Sequence, residues 1–300
     1  MNLYSQKEAN IRKTWFLVGI FLVAVIGIAW FFSYVYDSPA ILYIAVIFSI
    51  LMNFLAYWHS DKIVLRLARA REVGKEEASE LYRVVENLAI TAGLPTPKIY
   101  LIDEEAPNAF ATGRNPEHAV VAVTSGLLKK LDRSELEGVV AHELSHIGNR
   151  DMLLSTVIVV LVGFVSILAD IFIRSVIWGG MRSDNDNDRS RGIFILIGIA
   201  FSILAPIALG LMQLAISRKR EFLADSSGAL LTRYPEGLAR ALEKISADRT
   251  PMRAAINATS HLWVSDPFKN KRKKTPWLHK LFMTHPPIEE RVKALRGLKI

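Results

Sequence analysis

The sequence predicts a mainly α-helical protein with a small β-sheet, in which an α+β domain is fused to about four transmembrane helices. Hydrophobic residues make up 51% of the 300 residues, which is more than an ordinary soluble domain contains. They are concentrated in four long apolar blocks, and the chain between the blocks shows helical patterns and three short runs typical of strands. The sequence contains no cysteine, which excludes disulfides and thiolate metal ligands.

The first two apolar blocks predict an N-terminal transmembrane hairpin over residues 1–60. Its spans cover about 15–36 and 40–58, and each is long enough to cross a bilayer. A tight turn, Asp37-Ser38-Pro39, separates them. The first block is too long for the core of a signal peptide and no small-residue cleavage site stands out, so we expect a retained anchor.

The distribution of positive charge indicates a membrane protein rather than a nucleic-acid-binding protein. The formal net charge is +8, but Lys and Arg flank the apolar blocks, where membrane topology and anionic headgroups explain them. No nucleic-acid-binding module is recognisable, so we predict no nucleic-acid partner. Basic residues follow the second span and are absent from the first loop. Both termini and the chain from residue 60 onward are therefore expected on the cytoplasmic side of the cell inner membrane.

Residues 61–151 are predicted to form the first part of a cytoplasmic domain. Residues 75–92 show helical periodicity, with Gly93 as a stop. The runs 98–102, 109–112 and 119–124 follow as three short strands, separated by Pro, Asn and Gly.

The second of these strands is unusually small and polar for a strand in the centre of a core. The segment contains Asn108, Ala109, Phe110, Ala111 and Thr112. We expect it to be an exposed sheet edge that binds an extended peptide by strand addition. A plain hairpin strand without a ligand is the alternative.

A predicted helix carries the pattern His142-Glu143-Leu-Ser-His146. In a helix, His142 and His146 lie at i and i+4 and project from one face, so two imidazole nitrogens can reach one metal ion. Glu143 lies beside them, where it can act as a general base on a water molecule at the metal. Asp132 and Glu135 predict a capping box at the start of this helix. Two histidines on an ordinary helix are the alternative.

The third and fourth apolar blocks predict a second hydrophobic hairpin over residues 152–216, with segments 152–169 and 192–216. The polar loop between them lacks the Gly and the terminal Glu of an EF-hand, and we interpret it as a flexible connection. Its arginines leave open whether the hairpin crosses the bilayer fully. Residues 217–300 are then the second part of the cytoplasmic domain.

A third metal ligand is expected at the start of this second part. Glu221 and Asp225 repeat the i, i+4 spacing, and without cysteine the ligand must be Asp, Glu or His. We predict Glu221 as the ligand and Asp225 as the carboxylate that orients a ligand imidazole. Glu221 follows three cations and could instead be a partner in a helix-end ion pair, and Asp225 could be a surface carboxylate.

Four motifs stand out along the chain, namely Asn108-Ala-Phe-Ala-Thr-Gly113, His142-Glu143-Leu-Ser-His146 with Arg150-Asp151, Arg220-Glu221-Phe-Leu-Ala-Asp225 and Thr284-His285-Pro-Pro287. Together they resemble the motifs of the HtpX family of bacterial and archaeal heat-shock membrane zinc endopeptidases, which is related to the CAAX prenyl proteases. The similarity covers nearly the whole chain, including the four apolar blocks. Phe222 stands where Tyr is common in the family, and Ser226-Ser227-Gly228 replaces an Ala-rich run.

The resemblance implies a gluzincin-like metalloprotease domain, with one Zn²⁺ per subunit held by His142, His146 and Glu221 and with Glu143 as the catalytic base. It implies quality control under stress, by cleavage of misfolded or damaged membrane proteins and unfolded polypeptides, with a tendency to self-cleavage. It also implies that His285 approaches the site and stabilises an oxyanion. A structural turn before the following proline is the alternative for His285.

Two rival functions remain open at this point. A CAAX-type prenyl protease would use the same chemistry on a narrower class of substrates, but such enzymes usually have more than four spans. A membrane scaffold or stress sensor with structural zinc would have a saturated fourth ligand position and no need for Glu143. An intact Glu143 between the two histidines favours the protease.

Overall fold

The structure is a computed structural model that describes residues 3–35, 37–160, 218–253, 257–267 and 286–298. Most of the second hydrophobic hairpin, including its polar loop, lies outside the described residues, as does His285. The division of the chain into a hairpin, two domain parts and a second hairpin therefore stays a prediction.

Two long helices form the N-terminal hairpin. Helix α1 spans Leu3–Val35 and helix α2 spans Pro39–Trp58. Among the described residues, one helical segment is long and apolar enough to cross a membrane, and it covers Asn10–Tyr34. A second candidate exists if Pro39–Leu55 and Ser60–Leu67, which are bent by 77° relative to each other, count as one broken span. The structure thus supports one or two spans, and the expected total of four remains a prediction.

A short helix and a short strand connect this hairpin to the sheet. Helix α3 covers Ser60–Leu67 and strand β1 covers Ala70–Glu72. Strand β1 was not predicted, because three residues are too few to show a strand period. Helix α4 covers Ser79–Ala92 and begins later than predicted, because residues 75–77 form a turn. It ends as predicted at Gly93, whose φ of 65° suits glycine.

The sheet has four strands in the order β1-β2-β4-β3. Strands β2 (Lys98–Ile102), β3 (Ala109–Thr112) and β4 (Val120–Thr124) confirm the three predicted strands. β2 and β4 are parallel, whereas β1–β2 and β3–β4 are antiparallel. β3 therefore forms one edge of the sheet, where it packs against the helix that carries the His-Glu pattern.

The helix that carries the His-Glu pattern is α6 (Arg133–Gly148). The other described elements are α5 (Ser125–Lys130), α7 (Asp151–Val160), α8 (Arg218–Thr232), α9 (Pro235–Ala247) and α10 (Ile288–Arg296), with 3₁₀ turns at Pro116–His118 and Asn257–Leu262. α6 contacts α4, α8, α9 and β3, so it lies at the centre of the domain. Its apolar residues Val139, Val140 and Leu144 are at most 1% exposed. Because α6 is closely packed on most of its sides, the histidines that it carries are held in fixed positions.

Candidate metal centre

Helix α6 begins at the predicted capping box. The Asp132 carboxylate accepts a hydrogen bond from the Glu135 backbone N–H at 3.0 Å, and the Glu135 carboxylate accepts one from the Asp132 N–H at 2.9 Å. These bonds satisfy backbone donors that have no partner within the helix, so they fix where α6 starts. His142, Glu143 and His146 follow on this helix, and the first two are almost completely buried.

Helix α8 brings Glu221 to the two histidines. The close approach depends on Gly228, two turns further along α8. A Cβ atom there would lie 2.9 Å from the backbone N of His142 and 3.1 Å from the carbonyl C of Ala141. Glycine therefore allows α8 to lie directly against the backbone of α6 beside the first histidine.

The side chains of His142, His146 and Glu221 form a cluster whose ligand atoms lie within 4.8 Å of one another. The Nε2 atoms of the two histidines are 3.2 Å apart. A Glu221 carboxylate oxygen lies 3.6 Å from Nε2 of His146, and the other lies 3.8 Å from Nε2 of His142. Tetrahedral ligands at bond lengths of about 2.0–2.1 Å stand about 3.3 Å apart. The cluster therefore matches a small tetrahedral cation in its spacing and in its two-nitrogen, one-carboxylate donor set.

The first histidine is oriented by a buried ion pair. The Nδ1 atom of His142 lies 3.0 Å from Oδ1 of Asp225, which is 2% exposed. Arg291 of helix α10 donates to both oxygens of Asp225, at 2.8 Å from Nε and 2.6 Å from Nη2. Burial raises the pKa of the Asp225 carboxyl, but Arg291 and His142 outweigh it and hold the pKa below its usual value. Asp225 therefore stays ionised and directs Nε2 of His142 towards Glu221.

The second histidine has its own carboxylate. Nδ1 of His146 lies 3.0 Å from Oδ2 of Asp151, the first residue of α7. Burial lowers the pKa of His146, but the hydrogen bond to Asp151 and the charges of Glu221, Asp151 and Glu143 outweigh it and raise the pKa to about 9. The surrounding carboxylates thus stabilise positive charge on the His146 ring. They would stabilise a metal cation at the Nε2 atoms of the two histidines in the same way.

Glu143 lies on the same helix and is 2% exposed. Burial raises the pKa of its carboxyl, and the two histidines and a hydrogen bond from the Ala111 backbone N–H offset only part of that rise. The charge of Glu221 raises the pKa further. A carboxylate with a raised pKa beside a metal cluster is suited to accept and return a proton.

The structure contradicts the expectation that residues 108–112 are exposed. All four residues of β3 are buried, and Asn108 is 3% exposed. Two chain segments cover the strand. On its outer edge, the Val264 N–H donates to the Ala109 carbonyl at 3.0 Å. At its far end, the hydroxyls of Thr112 and Thr156 are 3.0 Å apart.

The segment Trp263–Ser265 is held at this edge by side chains as well. The Asn108 amide donates to the Ser265 carbonyl at 2.9 Å and its oxygen accepts from the Ser265 N–H at 3.2 Å. Trp263 is completely buried, with its ring edge-on to Phe110 at 4.8 Å between centroids. The prediction was wrong because the edge is covered by a segment about 150 residues away in sequence, which no local pattern reveals.

Two residues of the site were given no role by the sequence patterns. Arg291 lies within an apolar stripe of α10, because Ile288, Val292 and Leu295 on the same face of the helix pack into the core. A lone arginine in such a stripe is a signal of a buried partner. Asp151 follows α6 after Arg150, whose φ of 60° turns the chain. Its contact with His146 depends on that turn, which the sequence does not specify.

Comparison with known proteins places the chain in a family. The sequence profile of peptidase family M48 matches residues 75–299. The chain belongs to peptidase family M48, in its HtpX branch. A protease HtpX homolog of Caldanaerobacter subterraneus subsp. tengcongensis is 44% identical over 99% of this chain and 98% of its own length. The homolog of Thermococcus kodakarensis is 45% identical over 95% and 96%, and that of Streptococcus gordonii is 43% identical over 99% and 100%.

M48 membership confirms the enzyme class and the resemblance predicted from the motifs: the chain is a metallopeptidase that hydrolyses peptide bonds. Among solved structures, a crystal structure of S. mikatae Ste24p is similar, with a TM-score of 0.50 and 21% identity over 94% of this chain and 66% of that chain. At that identity the likeness concerns the fold alone. It agrees with a mostly helical M48 domain that contains a small mixed sheet.

Proposed function

We propose that this M48 chain is a membrane-anchored, zinc-dependent endopeptidase that removes misfolded or damaged membrane proteins under stress. The observation that carries the proposal is the cluster of His142, His146 and Glu221 with Glu143 beside it on α6. A catalytic zinc site usually has three protein ligands, which leaves the fourth coordination position for a water molecule or the substrate. Among the described residues, this cluster is the one group with metal-binding spacing.

His142, His146 and Glu221 would hold one Zn²⁺ per subunit. Both histidines have a carboxylate on Nδ1, which leaves Nε2 of each ring as the ligand atom. When bound, Zn²⁺ supplies a Lewis acid that polarises a peptide carbonyl and lowers the pKa of a water molecule. The nitrogen-rich donor set favours zinc over Mg²⁺ or Ca²⁺, which prefer oxygen ligands.

Glu143 is the proposed general base. Its carboxylate takes a proton from the attacking water and delivers one to the nitrogen of the leaving amine. Burial excludes bulk water from the carboxylate and raises the pKa of its carboxyl, which makes the carboxylate a better proton acceptor. His285, outside the described residues, is proposed to stabilise the oxyanion of the attacked carbonyl.

The substrate is proposed to lie as an extended strand along β3, next to Asn108, Ala109, Phe110, Ala111 and Thr112. Successive backbone carbonyls of a strand point to opposite edges. The Asn108 carbonyl bonds to Thr124 in β4 and the Ala109 carbonyl bonds to Val264, so Ala109 and Ala111 face the outer edge. A peptide that pairs with Ala109 must first displace Val264. Substrate access then depends on opening of the segment Trp263–Ser265.

The proposed location is the cytoplasmic face of the inner membrane. The apolar window of α1 begins at Asn10, and the amide of this residue contacts Asn149 and Asp151 at the end of the metal-ligand helix. The candidate metal centre therefore lies level with the end of an apolar helix. This position suits substrates that are themselves embedded in the bilayer, and also a second copy of the chain, as in self-cleavage.

Metal removal and replacement tests this function. Detergent-purified full-length protein is stripped with a chelator, and cleavage of casein and of a misfolded membrane protein is measured before and after addition of metal. We expect cleavage to disappear on stripping and to return with about one equivalent of Zn²⁺ but not with Mg²⁺. Zinc binding without cleavage of either substrate would favour the scaffold with a structural metal.

A further inference from the structure

We propose that Asn10 is a positioning residue for the metal centre, which acts by holding the carboxylate that orients His146. Asn10 lies on α1, at the start of its apolar window. The inference rests on the proposed metal ligands, and it extends the site to a helix outside the matched family segment of residues 75–299.

The contact is direct and buried. The Asn10 amide donates to Oδ1 of Asp151 at 2.6 Å and to the Asn149 carbonyl at 3.2 Å. Asn10 is 3% exposed and Asp151 is 4% exposed. A buried amide without partners is unfavourable by about 1–3 kcal/mol, so these hydrogen bonds explain how a polar residue fits here.

The two oxygens of Asp151 face different partners. Oδ1 accepts from Asn10 and lies 3.6 Å from Nε of Arg220, whereas Oδ2 lies 3.0 Å from Nδ1 of His146. A carboxylate held at one oxygen cannot rotate freely about its Cβ–Cγ bond. Asn10 therefore keeps Oδ2 directed at His146, and the ring keeps its Nε2 atom directed at Glu221 and His142.

Asn10 also connects α1, the proposed membrane anchor, with the candidate metal centre. Asn149 ends α6 and Asp151 begins α7, so one amide bridges the junction that sets the direction of both helices. A change in the position of α1 would then alter the metal site through a chain of two hydrogen bonds. Without α1, Oδ1 of Asp151 would lose the hydrogen bond from Asn10, and Nε of Arg220 at 3.6 Å would be its remaining partner among the described residues.

The test is a double-mutant cycle on zinc affinity, measured on the full-length chain in detergent by competition with a chromophoric chelator. Asn10→Ala removes the donor, and Asn10→Leu removes it at nearly unchanged side-chain size. Removing a residue that hydrogen-bonds to a metal ligand typically weakens metal affinity about 10–100-fold. Asn10 contacts such a residue, Asp151, rather than the ligand His146 itself. We expect both variants to weaken zinc binding about 3–10-fold in the wild-type background. We expect no further loss in an Asp151→Ala background, because Asn10 acts through Asp151.

Asn53→Ala on the neighbouring helix α2 is the matched control, because among the described residues the Asn53 amide bonds within its own helix, to the Ser49 carbonyl, at 2.9 Å. It should leave zinc affinity unchanged. Thermal unfolding of all metal-free proteins separates loss of fold from loss of metal. Wild-type zinc affinity in both Asn10 variants would overturn the inference, as would an equal loss in the wild-type and Asp151→Ala backgrounds. A wild-type chain that binds no zinc would instead refute the proposed metal site itself.

Discussion

Arg291 and Asp225 form a two-point ion pair directly behind the candidate metal ligands, although they lie 66 residues apart in sequence. Arg291 is 0% exposed and Asp225 is 2% exposed. Nη1 of Arg291 also lies 3.4 Å from Glu221. One arginine thus balances the charge of an orienting carboxylate and of a proposed ligand, in a position from which water is excluded.

Loss of Arg291 should destabilise the protein strongly. Arg291→Ala leaves the Asp225 carboxylate buried without its cation, which is unfavourable by about 3–5 kcal/mol. Arg296→Ala, on the same helix, removes exposed ion pairs with Glu236 and Glu243, which solvent screens, and should change stability far less. Denaturant unfolding of the metal-free proteins measures both. Similar effects of the two substitutions would show that the buried pair is not structurally important.

Gly228 should be intolerant of a methyl group. Gly228→Ala places a Cβ 2.9 Å from the backbone N of His142, so α8 has to move away from α6. We expect a loss of about 1–3 kcal/mol in unfolding free energy, together with weaker metal binding because Glu221 moves with α8. Gly148→Ala at the end of α6 is the control, since the one neighbour that its Cβ would meet within 4 Å among the described residues is a Leu94 methyl at 3.9 Å. The account of close helix packing fails if both variants bind metal as the wild type does.

Peptide binding should release Val264 from β3. The Val264 N–H bonds to the Ala109 carbonyl at 3.0 Å, on the edge where the substrate is proposed to pair. Hydrogen–deuterium exchange of zinc-loaded Glu143→Gln is measured with and without a bound peptide. We expect faster exchange at Val264 when the peptide is bound, because a substrate strand takes over the Ala109 carbonyl. Continued protection of Val264 with peptide bound would place the substrate elsewhere.

Elements with strong local signals were predictable from the sequence. Residues within a few positions of one another specify the capping box at Asp132, the strands 98–102 and 109–112 and the end of α4 at Gly93. The spacing of His142 and His146 also follows from one helix, whereas the position of Glu221 beside them depends on how α8 packs against α6.

Features made by distant segments were not predictable in the same way. The coverage of β3 by Val264 and the contact of Asn10 with Asp151 join residues more than 100 positions apart. Neither leaves a periodic pattern, because each depends on where a whole helix or loop is placed. Arg291 is intermediate: its position within an apolar stripe could have indicated burial, but not which carboxylate it meets.

The central claim is that His142, His146 and Glu221 bind one metal ion while Glu143 acts as the base. Zinc content and casein cleavage measured together on Glu143→Gln and Glu221→Gln test it most directly, because both change one carboxylate to an amide of the same size. The account predicts that Glu143→Gln keeps about one zinc per chain and loses cleavage, whereas Glu221→Gln loses both. Cleavage by Glu143→Gln at the wild-type rate, or full zinc content in Glu221→Gln, would contradict it.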